Sequence, residues 1–486
     1  MRPEVPEQGM ALWAKLLTAS LTALALMVLG VLLGKAWVEF PGHYDDWWYQ
    51  LLFAARQGGL VEDGTFVASP QVEYRYMGFP QLSELIQGKL WAMTGNIKAV
   101  NFVSFAAFLG LLAGLWRLWR VPVFYSVFAL LAIPTVAAQV AVVKNDLIHN
   151  VFAVLAVAAA FRLLLAPDHP RRWWMFAFMA LMVAGVTHTK FSMVRLAMVT
   201  YGATLLRLVW HDWQACRQTA QTGWVGVMLR RWGLVGLPMV VVSMGLIAYP
   251  YLRNLIIFKN PLYPFAFSML GLTFKGAEPL ELISSTTVYF APQPLRWLYS
   301  VIEFGIPPFE WTIDAWKRST GDYGFRMGGF FAAYVFFHLG LLGLNLWHSR
   351  ADIRRWVLLT MGVVTVTVAF THQSHELRYV MGWMMLLVAF NGYLIAQGDS
   401  TWKGLPSWRM AMLTVYCLVW FLLVHFNNRP LLITPYPQLP KQVRHTGHHF
   451  LQYYARRLEP DPSLRQLMVS HKPTGRRRRR SSFVEP

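Results

Sequence analysis

The sequence has little charge for its length. Only 14% of its 486 residues are charged, whereas a soluble protein carries about 25%. Hydrophobic residues make up 56% of the chain, and many runs reach the roughly 18 apolar residues that cross a bilayer. This composition excludes an ordinary soluble globular protein. It predicts an all-α polytopic membrane protein.

Cysteine and acidic residues are also scarce. The two cysteines, Cys216 and Cys417, lie in a basic stretch and in an apolar run, which argues against a disulfide framework. Acidic residues number 24 against 44 lysines and arginines, a formal charge of +20. Most of the basic residues form short clusters between apolar runs, as the positive-inside rule expects of cytoplasmic loops. We therefore expect no nucleic-acid partner.

About eleven apolar runs are predicted to cross the membrane, with basic turns on one side and polar turns on the other. The predicted spans are about Leu12–Leu33, Ala99–Leu115, Val123–Val143, Val151–Leu165, Trp173–Val186, Met193–Val209, Gly233–Tyr249, Gly328–Trp347, Val357–Phe370, Tyr379–Ala396 and Met410–Phe426. Residues 1–11 are predicted to form a cytoplasmic N-terminus and residues 12–426 a transmembrane domain. Residues 427–486 are predicted to form a tail with a short helix and a disordered, arginine-rich end. Eleven spans would place this tail outside, but its five consecutive arginines run against the positive-inside rule, so the sequence leaves its side open.

Two long segments, 38–98 and 250–327, are predicted to lie on the outer side. In the first, Asp46–Gln57 and Pro80–Trp91 have the apolar pattern of two interfacial helices. Gly58 and Gly59 are expected to end the earlier helix. The second segment is rich in proline and aromatic residues, and the sequence leaves open whether it forms a lid or a re-entrant helix.

Two adjacent carboxylates follow the first predicted span, in the stretch PGHYDDWWY at Pro41–Tyr49. Aromatic residues at the end of a membrane helix are ordinary interface anchors, but a carboxylate pair is not. Asp45 or Asp46 is therefore a candidate catalytic base. The alternative is that one of them caps a helix, since aspartate is a preferred N-cap residue.

The other outer turns carry an unusual number of polar and ionisable groups. Ionisable groups at membrane depth tend to be paired or functional. Cations there suit a phosphate leaving group, and a carboxylate can take a proton from an acceptor hydroxyl. The candidates are Asp146, His149, His188, Lys190, Arg253, Asn254, His372, His375, Glu376, Arg378 and Tyr379. The alternatives are a cap for Asp146, interface lysine and arginine side chains, and histidines that only form hydrogen bonds.

The order of these features resembles the GT-C superfamily of polytopic glycosyltransferases, which includes protein O-mannosyltransferases and lipid A aminoarabinose transferases. The resemblance covers roughly residues 12–396. The matching motifs are Tyr44-Asp45-Asp46, Met77-Gly-Phe-Pro80, Ile133-Pro134-Thr135 with Asn145-Asp146, Thr189-Lys190-Phe191, Tyr251-Leu-Arg-Asn254 with Lys259-Asn-Pro-Leu-Tyr-Pro-Phe265, and Arg378-Tyr379. Lys259 stands where the similar sequences usually have glycine.

The resemblance implies inverting transfer of a hexosyl or pentosyl group from a polyprenyl-phosphate donor to an acceptor hydroxyl. The site would face the periplasm from a bacterial inner membrane, with an aspartate of the first loop as the base. Lys190, Arg253 and Arg378 are the predicted phosphate ligands. The predicted supporting residues are Asp146, His149, His188, His372, His375, Asn254 and Tyr379.

Some GT-C branches require a divalent metal, Mg²⁺ or Mn²⁺, at the acidic motif and others do not. Adjacent residues on a helix point about 100° apart, so Asp45 and Asp46 cannot easily chelate one ion. The sequence therefore favours no tight metal site. Asp146 could still complete one with either of them.

Two other functions share most of these features. A transporter or flippase for lipid-linked glycans would use a similar cationic pocket without a surface base, but transport sites usually lie near the bilayer midplane. A ligase or polymerase of lipid-linked glycans would differ in donor size. The sequence leaves the sugar, the polyprenyl length and the acceptor open; a glycan, a lipid or a protein of the envelope would serve.

Overall fold

The structure is a computed structural model. It describes residues 7–42, 45–62, 64–219, 226, 228, 232–269, 271–279, 292–302, 304–306, 309–311, 331–398, 408–428, 431–433 and 449–462. These residues are predominantly helical, with short strands confined to 265–311. Several helices are apolar enough to cross a membrane, so the predicted all-α polytopic class is confirmed.

Seventeen α-helices are named among the described residues. They are α1 Glu7–Val38, α2 Leu51–Gly58, α3 Pro70–Gly78, α4 Leu82–Thr94, α5 Asn101–Trp119, α6 Val123–Leu131, α7 Pro134–Ala137, α8 Asn145–Leu165, α9 Arg172–Thr189, α10 Val194–Thr219, α11 Leu237–Phe258, α12 Gln293–Val301, α13 Phe331–Trp347, α14 Ala351–Ala369, α15 Gly382–Gly398, α16 Trp408–Asn428 and α17 His449–Arg457. Short π-helical turns cover Asp46–Gln50 and Trp232–Gly236, and 3₁₀ turns cover Ile97–Val100 and Leu377–Tyr379.

The strands are β1 Phe265–Met269, β2 Leu272–Phe274, β3 Glu278–Pro279, β4 Phe304–Ile306 and β5 Phe309–Trp311. Strand β1 lies between β2, its antiparallel partner, and β3, its parallel partner. Strands β4 and β5 form an antiparallel pair. All five belong to the second predicted outer segment, which therefore contains two small sheets among its described residues.

Ten of the eleven predicted spans correspond to one continuous helix each within the described residues. Five of these helices are long and apolar enough to cross a membrane by length and composition, and two shorter ones, Phe331–Trp347 and Gly382–Gln397, are also apolar. Helix α8 is the most enclosed of the five, because 83% of the residues in its 18-residue apolar stretch are buried. It is the central helix against which α5, α9 and α10 pack.

The third predicted span is wrong as a single helix. Helix α6 ends at Leu131, Ile133 is extended, and Pro134 opens the four-residue helix α7. Proline lacks the backbone N–H that would continue a helix and disfavours a helical residue before it. Residues 138–144 then continue through the buried interior without a regular helix, which places Lys144 at the start of α8.

The first outer segment contains three helices, α2, α3 and α4, rather than the two predicted. Helix α2 ends at Gly58, and Gly59 has a left-handed φ of 78° as a glycine stop requires. Helices α2 and α4 pack so closely that a Cβ on Gly88 would lie 1.9 Å from the Ala54 carbonyl oxygen. This contact fixes α4 beside the acidic turn.

The second outer segment begins later than predicted. Pro250 lies inside α11, which continues to Phe258, so Arg253 and Asn254 belong to that helix rather than to a loop. Lys259 ends the helix with a φ of 54°, in the left-handed region that favours glycine. This is a backbone geometry that glycine adopts at lower cost than lysine.

Helix α17 of the tail packs against the first outer segment. Phe450 and Tyr454 are buried against the rings of Phe40 and Trp47, and the Lys35 Nζ donates to the Leu432 carbonyl. The described part of the tail therefore lies at the same end of the helices as the acidic turn. His43, Tyr44, residues 312–330 and Arg476–Arg480 lie outside the described residues.

Candidate functional site

The ends of four helical segments meet at one end of the bundle and bring acidic and basic side chains together. The contributing segments are the turn after α1, the start of α8, the end of α9 and the 3₁₀ turn before α15. The turn after α1 supplies Asp45 and Asp46, and the start of α8 supplies Lys144 and Asp146. The end of α9 supplies Lys190, and the 3₁₀ turn supplies Arg378 and Tyr379. Most of these residues were predicted from sequence, and the structure joins them into one ion-paired cluster.

Lys144 is the centre of this cluster. Its Nζ lies 3.3 Å from Asp45 Oδ2 and 3.2 Å from Asp46 Oδ1. The lysine side chain is completely buried. A buried ammonium is stable only when anions neutralise it, and the two carboxylates do so.

The two adjacent carboxylates have different surroundings. The Asp46 side chain is completely buried, whereas that of Asp45 is 23% exposed. Lys144 and Arg378 both contact Oδ2 of Asp45, Arg378 Nη1 at 3.2 Å, and its Oδ1 accepts no hydrogen bond from the described residues. The Asp45 side chain does not cap the turn that follows. Asp45 therefore presents one carboxylate oxygen to the exterior.

Asp45 is held in its ionised form. Burial alone would raise the pKa of this carboxyl, but the neighbouring charges of Lys144, Arg378 and Lys190 outweigh it and bring the pKa well below its usual range. The nearby Tyr49 shows the opposite effect, because burial and the negative charges of Asp45 and Asp146 raise the pKa of its hydroxyl. Tyr49 thus remains a hydrogen-bond donor beside an ionised carboxylate.

A second ion pair adjoins the first. Lys190, whose side chain is 21% exposed, pairs with the buried Asp146, and its Nζ lies 4.0 Å from the centre of the Tyr379 ring. Arg378 Nη2 donates to the Tyr379 hydroxyl at 3.1 Å. Lys190 and Arg378 are thus two partly exposed cations that share one tyrosine.

Asn150 fixes the arginine turn against α8. Its buried Oδ1 accepts from the Gly382 N–H at 2.8 Å, and its Nδ2 donates to the Arg378 and Tyr379 carbonyls at 3.2 and 3.3 Å. His149 has a similar role at the start of α10, since its Nε2 accepts a hydrogen bond from the Met193 N–H at 2.9 Å. Both residues position the ends of neighbouring helices.

Other predicted residues lie in different surroundings. Arg253 donates to the Met77 carbonyl at 3.0 Å, and the buried Asn254 donates to the Gly78 carbonyl at 2.7 Å, so both hold the first outer segment against α11. His188 Nε2 contacts the Leu246 carbonyl at 2.8 Å. His372 and His375 lie in the turn before Arg378. The described contacts do not join Arg253 to the ion-paired cluster.

The acidic side chains of the cluster have lysine partners. Among the residues that the structure describes, no three His, Cys, Asp or Glu side chains are grouped to hold a metal ion. Lysines neutralise the three carboxylates instead, Lys144 at Asp45 and Asp46 and Lys190 at Asp146. The expectation of no tight metal site, with Mg²⁺ or Mn²⁺ as the alternative, stays a prediction.

Sequence reasoning missed Lys144, Asn150 and Glu84. Lys144 directly precedes Asp146's helix at the end of an apolar run, and that isolated charge was a usable signal. Asn150 and Glu84 lie in helices where nothing in the local pattern separates them from other buried polar residues. Their importance comes from contacts with distant segments.

Comparison with known proteins gives one structural similarity. No family model matches the chain, and no curated protein matches its sequence. The crystal structure of ArnT from Cupriavidus metallidurans bound to undecaprenyl phosphate is similar with a TM-score of 0.42 and 13% identity. The match covers 93% of this chain and 77% of that one. Similarity at this level assigns no activity.

Proposed function

We propose that this protein is an inverting membrane glycosyltransferase that uses a polyprenyl-phosphate-linked sugar donor. The observation that carries the proposal is a partly exposed carboxylate, Asp45, that pairs with the partly exposed Arg378 beside a second partly exposed cation, Lys190, which pairs with Asp146. Glycosyl transfer from a phosphate donor needs both a proton acceptor and a site for the departing anion. The acceptor is a hydroxyl of an envelope glycan, lipid or protein.

In this mechanism Asp45 Oδ1 accepts the proton of the acceptor hydroxyl as that oxygen attacks the anomeric carbon. The bond from the anomeric carbon to the phosphate oxygen breaks, and its electron pair leaves with the polyprenyl phosphate. Lys190 and Arg378 stabilise the negative charge that this step localises on the leaving group. Attack opposite to the leaving group inverts the anomeric configuration.

The position of the cluster supports a transferase over a transporter. Asp45, Lys190 and Arg378 lie at helix ends and in turns, not in the middle of broken membrane helices. A site at the outer face of an inner membrane would be accessible both to the lipid-linked donor and to the envelope acceptor. Arg253, outside the ion-paired cluster, holds a loop carbonyl and is less suited to bind the phosphate.

The test is donor discharge by the purified full-length protein in proteoliposomes, with a panel of radiolabelled polyprenyl-phosphate sugars and an envelope extract as acceptor. We expect one donor to be discharged, and the double variant K190Q/R378Q to lose at least about tenfold in turnover. K89Q, on an exposed lysine of α4, is the matched control and should retain full activity. Unchanged turnover in the double variant would contradict the assignment of the phosphate site.

A further inference from the structure

The buried carboxyl of Glu84 has no role in the mechanism above, yet it contacts the segment that builds the site. Glu84 lies in α4 and is 2% exposed. Its Oε1 accepts a hydrogen bond from Asn145 Nδ2 at 3.0 Å. Asn145 stands between Lys144, which holds both aspartates, and Asp146, which holds Lys190. Glu84 thereby anchors the backbone from which two residues of the cluster project.

The second carboxylate oxygen of Glu84 is buried and forms no hydrogen bond within the described part of the chain that would replace its hydration. Oε2 has no hydrogen-bond partner among the described residues, and the same is true of Ser83 Oγ and Gln87 Nε2 on the same side of α4. A carboxylate in such a place loses the hydration of its charge and gains little in return. Burial accordingly raises the pKa of Glu84 to about 7, against the weaker influence of the Asn145 hydrogen bond.

The charges that act on Glu84 belong to the proposed phosphate site. Lys190, which follows α9, favours its ionised form, and Asp146 at the start of α8 opposes it. The other elements that pack on α4 also carry ionisable side chains. Arg56 of α2 is paired with Glu73, Lys98 lies half-buried in the 3₁₀ turn, and Arg117 lies in the last turn of α5. His149 of α8 accepts from Met193.

We propose that Glu84 is a positioning residue whose charge sets how tightly Lys190 holds the phosphate of the lipid-linked donor. This inference rests on the proposed function. When Glu84 is protonated, the anionic neighbours of Lys190 are its partner Asp146 and the more distant Asp45, and Lys190 can attract the phosphate. When Glu84 is ionised, a further negative charge acts on Lys190 and repels the incoming phosphate. Donor affinity should therefore fall as the pH rises through neutrality.

The experiment measures the Kd of a polyprenyl methyl phosphate, a phosphodiester that keeps one negative charge over the whole range. Binding to the full-length protein in nanodiscs is followed at about pH 6 and about pH 8. Wild type should bind more weakly at the higher pH, by up to roughly tenfold for a coupling of one pKa unit. E84Q keeps the size of the side chain and an acceptor for Asn145, so it should fold and bind equally at both pH values.

The matched control is E62Q, which removes an exposed carboxylate of the same outer segment and should behave as wild type. A measurement without any variant is the proton uptake of wild type on binding at about pH 7, obtained calorimetrically in two buffers. An equal pH effect in wild type and E84Q, or no pH effect and no proton uptake in wild type, would overturn the role of Glu84. A failure of all three proteins to bind would instead contradict the proposed function.

Discussion

Asp45 and Asp46 are neighbours in sequence, but they are suited to different tasks. Asp46 is enclosed and its charge is matched by the buried Lys144, so we propose a structural role for its carboxylate. Asp45 shares the same lysine through one oxygen and leaves the other open. Two residues that follow each other on a helical turn point about 100° apart, which allows one to face inward and the other outward.

The buried lysine gives a test at the scale of single residues. K144M removes the cation and leaves Asp46 buried without its ammonium partner, which should lower the free energy of unfolding by about 3–5 kcal/mol. The measurement is thermal or chemical unfolding in detergent. The double variant K144M/D46N removes the stranded charge as well and should recover part of the loss. K89M, on an exposed lysine, should change stability by less than about 0.5 kcal/mol. Equal stability of K144M and K89M would contradict the buried ion pair.

The pH dependence of stability gives a second test at this scale. The pKa of Asp45 is lowered in the folded protein, so its contribution is complete above the unfolded pKa of about 3.9 and is lost as the pH falls toward the folded pKa. The difference in Tm between wild type and D45N should therefore be constant from about pH 8 down to about pH 5 and shrink only at lower pH. A difference that grows as the pH falls from about 8 to about 5 would show a raised pKa, and a difference that stays constant well below about pH 4 would show an ordinary one; either result would contradict the lowered pKa of Asp45.

At the scale of elements, hydropathy located the helices but not their interruptions. Ten of the predicted spans are single helices because a long apolar run in a membrane protein must satisfy its own backbone hydrogen bonds. The break between α6 and α7 follows from Pro134. A proline inside an apolar run indicates that the helix can be interrupted there. The third helix of the first outer segment, α3, escaped prediction because it is polar and short.

The ion-paired cluster could be predicted only as a list of candidates. Asp45 and Lys144 are 99 residues apart, and Asp45 and Arg378 are 333 residues apart. Charge at membrane depth identifies such residues individually, but their pairing depends on how the helices pack. The same limit explains why Glu84 and Asn150 were missed, whereas phosphate binding by Arg253, which donates to the Met77 carbonyl, stays a prediction.

The C-terminal helix α17 gives a prediction about an element. Tyr454 and Phe450 pack on Trp47, which is the neighbour of Asp46, so α17 supports the turn that carries both aspartates. A chain that ends after residue 448 should lose at least about tenfold in turnover because the carboxylate is less precisely placed. A chain that ends after residue 462 keeps the helix, removes only the arginine-rich end and serves as the control. Equal turnover of the two truncated proteins would remove α17 from the support of the site.

For the whole molecule, the position of α17 bears on topology. The helix packs on the first outer segment, so the two termini of the membrane domain should lie on opposite sides, as an odd number of spans requires. Single cysteines at Glu62 and Gln452 should react with a membrane-impermeant maleimide from one side, and a cysteine at Asp352 from the other. The native Cys216 and Cys417 are buried and should give little background. Labelling of positions 62 and 452 from opposite sides would exclude this topology.

The most direct test of the central claim separates binding from chemistry in one variant. D45N keeps the size of the side chain but removes the carboxylate that is proposed to accept the proton. We predict that it binds the lipid-linked donor within about threefold of wild type and discharges it at least about a hundredfold more slowly in a single turnover. The control D352N changes an exposed aspartate at the opposite end of the bundle and should match wild type in both measurements. Discharge by D45N at the rate of wild type would contradict the assignment of Asp45 as the base.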